Sequence, residues 1–133
     1  MNISRKSFLA AALLMPLGAR ARTLFQPKTK PMLVHHVFFW LKNPDSAADK
    51  ARLIEGLNSL RKIESLKLAK IGAPAATEKR EVIDNSYSIS WLNFFDDIKG
   101  HDAYQVHPAH EAFVKNYAHL WTKVVVYDAQ EIG

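Results

Sequence analysis

Tyr104, His107, Pro108, His110 and Phe113 set a phenol and two imidazoles around a proline within ten residues. Proline at the first helical position is tolerated, because that N–H has no intrahelical partner. His107 then precedes a helix, and His110 lies in its first turn. Val114, Tyr117 and Trp121 follow at helical spacing, so His110 heads an apolar stripe and is expected to point inward. An imidazole titrates near neutral pH, so one aimed into an apolar chamber can transfer protons. The competing reading is a buried histidine satisfied by hydrogen bonds.

The surrounding elements must position these groups. Leu33 to Lys42 is rich in Val, Phe and Trp and predicts a strand, with both alternating sets largely apolar. His35, Val37 and Phe39 share one of its faces, and Val34, His36, Phe38 and Trp40 the other. Asn43 to Ser46 marks a turn, with Asp45 or Ser46 as a cap. Leu53, Ile54, Leu57, Leu60 and Ile63 then predict an amphipathic helix from about Ala47 to Lys62. Lys67 to Ala73 is a short strand, Pro74 to Asp84 a polar loop, and Tyr87 to Phe95 another strand. Asp96 to Tyr104 is a short helix and Pro108 to Leu120 a longer one. Thr122 to Asp128 closes the order, with Val124, Val126 and Asp128 in phase on one face.

This is β-α-β-β-α-β with the second helix broken at Pro108. It predicts an α+β, ferredoxin-like domain, a four-stranded antiparallel sheet with helices on one side. His36 is expected against the helix layer. Phe39, Trp91 and Val126 are expected to need further cover, which a second subunit's sheet would supply.

The first residues read as an export signal. Arg5 and Lys6 precede an apolar run from Phe8 to Leu17, and Ala19-Arg20-Ala21 is a small-residue cleavage pattern. Residues 1–21 are thus expected to be a signal peptide, 22–32 a linker, and 33–133 the folded domain. The route is general secretion or a twin-arginine-like one, and the destination periplasmic or secreted, with no stable membrane anchor after cleavage. The chain has no Cys, which excludes disulfides and a lipid-modified cysteine. Of the 18 Lys and Arg, three fall in the signal, leaving 15 against 13 Asp and Glu, or +2. Such a balance is poor support for a nucleic-acid partner, and none is expected.

The strand from Val34 to Lys42, the strand from Tyr87 to Asp96, the block from Tyr104 to His110 with Phe113, and the last strand ending at Asp128 together resemble the stress-responsive α/β-barrel (Dabb) family. The likeness runs from Leu33 to Ala129. It implies a homodimer whose two sheets close into an α+β barrel, each subunit keeping a pocket between sheet and helices. Most members have no established activity. One plant member type is a polyketide cyclase that works by intramolecular aldol condensation, without metal or organic cofactor.

By that resemblance His110 is the base, Tyr104 assists, Asp128 orients His110, and His35 lines the same pocket. Val37, Phe39, Trp91, Phe113, Val114, Trp121, Val124 and Val126 complete the expected ligand-binding wall. Trp91, Asn93 and Val114 replace smaller residues of the cyclase pattern, so the polyketide substrate is not carried over. Two readings follow: a cofactor-free acid–base enzyme acting on a small, partly apolar carbonyl compound, or a non-catalytic stress-related dimer that binds a small molecule and uses the same groups as a structural network. A metal held by His101, His107, His110 and Glu111 is disfavoured, because the spacing is not His-Glu-x-x-His. Nothing singles out an axial haem ligand. No metal and no cofactor are expected.

Overall fold

The computed structural model describes residues 30–132. The expected signal peptide, and the linker up to residue 29, lie outside the described residues.

Strand β1 is Leu33–Leu41, helix α1 Ala47–Ser59, β2 Leu68–Gly72, β3 Ile89–Phe95, α2 Ile98–Gln105, α3 Pro108–Tyr117 and β4 Trp121–Gln130. Short 3₁₀ turns extend α1 through Lys62 and α3 through Leu120. The strands form one antiparallel sheet in the order β2-β3-β1-β4. This is the ferredoxin-like α+β fold expected from the order of elements. Among the described residues no helix is long and apolar enough to cross a membrane.

Local chemistry sets the boundaries. Ser46 caps α1 by accepting a hydrogen bond from the Asp49 N–H at 3.1 Å, satisfying one of the free donors at the helix start. Asp97 caps α2 through the Gly100 N–H at 2.8 Å. His107 caps α3, its Nδ1 accepting from the Ala109 N–H at 3.0 Å, and Pro108 follows at the first helical position.

The core lies between the sheet and the helices. Leu53, Leu57, Leu60 and Ile63 are buried from the α1 side against Phe39, Leu41, Ile89 and Phe95 of the sheet. Gly56 lets α1 and α3 approach closely: a Cβ there would lie 2.8 Å from the Tyr117 ring.

Two expectations are corrected. Phe39 and Trp91 are 3% and 1% exposed within a single chain, so the helix layer already covers them. Their inward direction follows from the alternation of β1 and β3. The bare face carries instead Val34, His36, Phe38 and Trp40 of β1, with Leu92 and Phe94 of β3 and Val125 and Tyr127 of β4. His36 is therefore on the side away from the helices, its ring 4.1 Å from that of Phe38. Val126 faces the helix side and stays 42% exposed at the rim of a cavity.

Candidate functional site

Sheet register builds the floor of the site. His35 on β1 pairs with Asn93 on β3 and with Asp128 on β4, and Asn93 pairs with Ala69 on β2. One rung thus runs Ala69, Asn93, His35, Asp128 on the helix-facing side. The next rung is Ile71, Trp91, Val37, Val126. Side chains directly opposite each other have Cβ atoms about 4.5–5.5 Å apart, close enough to bond.

The helices supply the roof. His101, Tyr104 and Gln105 share one face of α2 by their spacing of three and four. The break at Val106-His107 turns the chain, and Pro108 starts α3 so that His110 comes back over Tyr104. Their ring centroids are 4.8 Å apart. The Tyr104 hydroxyl accepts a hydrogen bond from Nε1 of Trp91 at 3.2 Å, which leaves its own O–H free to donate.

Together these groups enclose a cavity of about 200 Å³. All nine residues expected to line it do so: His35, Val37, Phe39, Trp91, Phe113, Val114, Trp121, Val124 and Val126. Tyr104 and His110 line it too, with Leu60 and Gln105, which the sequence reading did not single out. Val114, Val124 and Val126 are exposed, so the cavity opens between α3 and β4.

Asp128 does not serve His110. Its Oδ1 is 2.6 Å from Nδ1 of His35, its cross-strand neighbour. A carboxylate only accepts, so Nδ1 of His35 carries the proton in this pair and Nε2 is left without a hydrogen-bond partner among the described residues. The expected orientation of His110 by Asp128 is thus corrected: sheet register gives the carboxylate to β1, and α3 lies in another layer. His101 was also missed as a member of this group. Its Nε2 is 3.3 Å from Nδ1 of His35 and 3.1 Å from the Gln105 side-chain nitrogen. The signal was present in the sequence, because His101 stands one helical turn before Tyr104 and Gln105.

Electrostatics sorts the groups by role. Burial pushes the Tyr104 phenol up to about 12, so it is a neutral O–H at physiological pH. Burial lowers the His110 pKa, the nearby His35 adds to the effect, and the Gln105 backbone opposes it. His110 is therefore a neutral imidazole at pH 7, able to accept a proton. Burial also lowers the His35 pKa, with the Asp128 carboxylate pulling the other way. His107 is spent on its helix cap, and His101 turns to His35, so the four-residue run His101, His107, His110 and Glu111 does not converge on one point.

The comparisons agree with this architecture. A Dabb family protein from Mesorhizobium loti, described as ferredoxin-like, superposes with a TM-score of 0.64 at 22% identity, covering 77% of this chain and 99% of the other. An Arabidopsis thaliana protein gives 0.63 at 24% identity, over 76% of this chain and 96% of its own. A hydroxynitrile lyase from Passiflora edulis gives 0.63 at 20% identity, over 74% and 92%. A Thermobifida fusca protein of unknown function, described as dimeric, gives 0.60 at 22% identity, over 74% and 90%. No curated protein matches the sequence. Residues 33–131 match the Stress Responsive A/B Barrel Domain, so the chain belongs to the Dabb family.

Proposed function

We propose that the protein binds a small, partly apolar carbonyl compound in the cavity and moves a proton at the carbon beside that carbonyl. His110 is the base, and the Tyr104 O–H stabilises the enolate oxygen. The observation that carries this reading is the pairing of one neutral imidazole and one neutral phenol, 4.8 Å apart, on the wall of an otherwise apolar cavity. His35 adds a third polar group that can position the carbonyl. A hydroxynitrile lyase shares the fold, so lyase chemistry has been carried by this scaffold; at that identity it says nothing of the substrate here.

The working unit in this reading is a homodimer. Its support is the apolar bare face of the sheet, and the dimeric description of neighbours of the same fold. Export rests on the N-terminal sequence pattern alone, and N-terminal sequencing of protein recovered from the periplasm or medium checks it.

Solvent deuterium exchange at the α-carbon of small ketones and β-diketones, followed by NMR, tests the chemistry. The protein should accelerate exchange, and His110→Ala and Tyr104→Phe should each remove the acceleration while the fold is retained. Acceleration that persists in both variants would overturn the reading. The second reading, a ligand-binding dimer without turnover, treats the Trp91–Tyr104 and His35–Asp128 bonds as a structural network around the cavity. It predicts saturable binding of the same compounds with no exchange.

A further inference from the structure

His35, His101 and Asp128 come from β1, α2 and β4, yet one ligating atom of each lies within 4.8 Å of the others. Nδ1 of His35 is the meeting point, 2.6 Å from Oδ1 of Asp128 and 3.3 Å from Nε2 of His101. An imidazole nitrogen has one in-plane valence, holding either a proton or a lone pair. Both of its neighbours here are acceptors. The carboxylate cannot donate. Nε2 of His101 accepts from the Gln105 amide at 3.1 Å, while Nδ1 of His101 faces the Asp102 carboxylate at 3.4 Å and so keeps the ring proton on that side. The one proton on Nδ1 of His35 thus serves only the Asp128 pair well, and the 3.3 Å approach to the His101 lone pair, which the Gln105 amide also meets, has no proton of its own.

A second observation lies beside them. Asn93 is fully buried, and neither its Nδ2 nor its Oδ1 has a hydrogen-bond partner among the described residues. It is the cross-strand neighbour of His35 on the same rung. A buried amide left unpaired is costly, and an ordered water that both donates and accepts is the usual remedy.

We propose that His35, His101 and Asp128 bind one divalent transition-metal ion of the zinc class, with a water on the ion or next to it serving Asn93. Two imidazoles and a carboxylate suit such ions. Metal–nitrogen bonds of about 2.0–2.1 Å place neighbouring ligand atoms roughly 3–3.5 Å apart, which the His35–His101 separation already meets. Asp128 must move back from Nδ1 of His35 by roughly 0.4–0.9 Å and swing toward His101, since the three ligating atoms are spread over as much as 4.8 Å; its side chain is half exposed and free to do so. The site differs from the run His101, His107, His110 and Glu111 weighed from sequence, sharing only His101 with it. Its consequence reaches the cavity: an ion on Nδ1 of His35 fixes the ring proton on Nε2. His35 then offers the cavity a donor, whereas without the ion it offers an acceptor.

The test is a Co²⁺ titration of the tag-free, metal-stripped protein, read by visible absorption and reversed with Zn²⁺. One equivalent should saturate a d–d band. His101→Ala and Asp128→Asn should each abolish it, while His119→Ala, at an exposed position, should leave it unchanged. Histidine ¹⁵N spectra of the wild type during Zn²⁺ addition need no variant: the ring signals of His35 and His101 should move together, with little change at His119. No saturable band at millimolar Co²⁺, a band that survives both variants, or zinc shifts that bypass His35 and His101 would overturn the proposal. Deuterium exchange by His110 is read separately, so failure of one proposal is distinguishable from failure of the other.

Discussion

His35 and His36 are consecutive residues divided by the thickness of a sheet. His35 faces the helices, is buried, and meets a carboxylate and a second imidazole. His36 faces away, its ring tilted by 37° against that of Phe38, and is half-buried in the single chain. The same residue type therefore meets a polar cluster on one face and an apolar surface on the other. The helix-side face is completed by its own chain and leaves a cavity where α2 and α3 part. The bare face is apolar, carries Phe38, Trp40 and Tyr127, and is the surface proposed above to meet a second copy. Substitutions on the two faces should accordingly fail in different ways.

The largest expected effect is on the helix side. Leu57 is fully buried beneath the sheet, and Leu57→Ala should cost about 2–5 kcal/mol of unfolding free energy through lost burial and the cavity left behind. Chemical denaturation reads this directly. The folded fraction should keep its oligomeric state, because the residue does not touch the bare face. If Leu57→Ala separated the subunits while leaving each stable, the assignment of roles to the two faces would be reversed.

Next comes the bare face itself. Phe38 touches Tyr87 and Tyr127 with ring centroids 4.9 and 5.9 Å away. Phe38→Asp puts a charge in the centre of the proposed interface and should weaken association by roughly 2–4 kcal/mol, the range of an interface hot spot. Sedimentation should find monomers, with helix content retained. A variant that stays dimeric would place the interface elsewhere.

The contrast between the faces also explains what the sequence could reveal. The elements were legible because each carried its own local signal: alternation in β1, the leucine period in α1, and the Pro108 start of α3. The cavity wall was legible for the same reason, since residues in phase on a strand or helix share a face. Two things were not. The direction of each apolar face was misjudged, because β1 is apolar on both sides and nothing local says which side the helices take. The partner of Asp128 was misassigned, because pairing across strands depends on register between segments ninety residues apart. His101 was visible in type and spacing but had no meaning until that register brought His35 beneath it.

Tyr104→Phe has a smaller expected effect on stability and a large one on function. The ring stays, with its packing against Phe95 at 5.1 Å and His110 at 4.8 Å. Only the hydroxyl goes, which leaves the buried Trp91 N–H without its acceptor and should cost about 1–2 kcal/mol. Exchange activity should vanish in the same variant. Loss of stability well beyond that range, with activity kept, would make the phenol a structural strut rather than an oxyanion donor.

The smallest effect isolates His110 by pH. Burial holds its folded-state pKa below the ordinary histidine value of 6.5. Above that value the ring is neutral in both states and contributes nothing to the pH dependence. As pH falls through 6.5 the unfolded chain takes up a proton that the folded ring refuses, so stability declines until the folded pKa is reached. His110→Gln should therefore show a shallower loss of stability than the wild type on acidification from pH 7 to 5, measured by urea denaturation at each pH. The difference between the two proteins is the quantity of interest, since buried His35 contributes in the same direction to both. Exchange catalysed by His110 should fall off over an acid limb lying below pH 6.5, because the base must be neutral to act. If His110→Gln steepened the acid slope instead, the imidazole would be gaining a proton on folding, and its place as the base in the cavity would be lost.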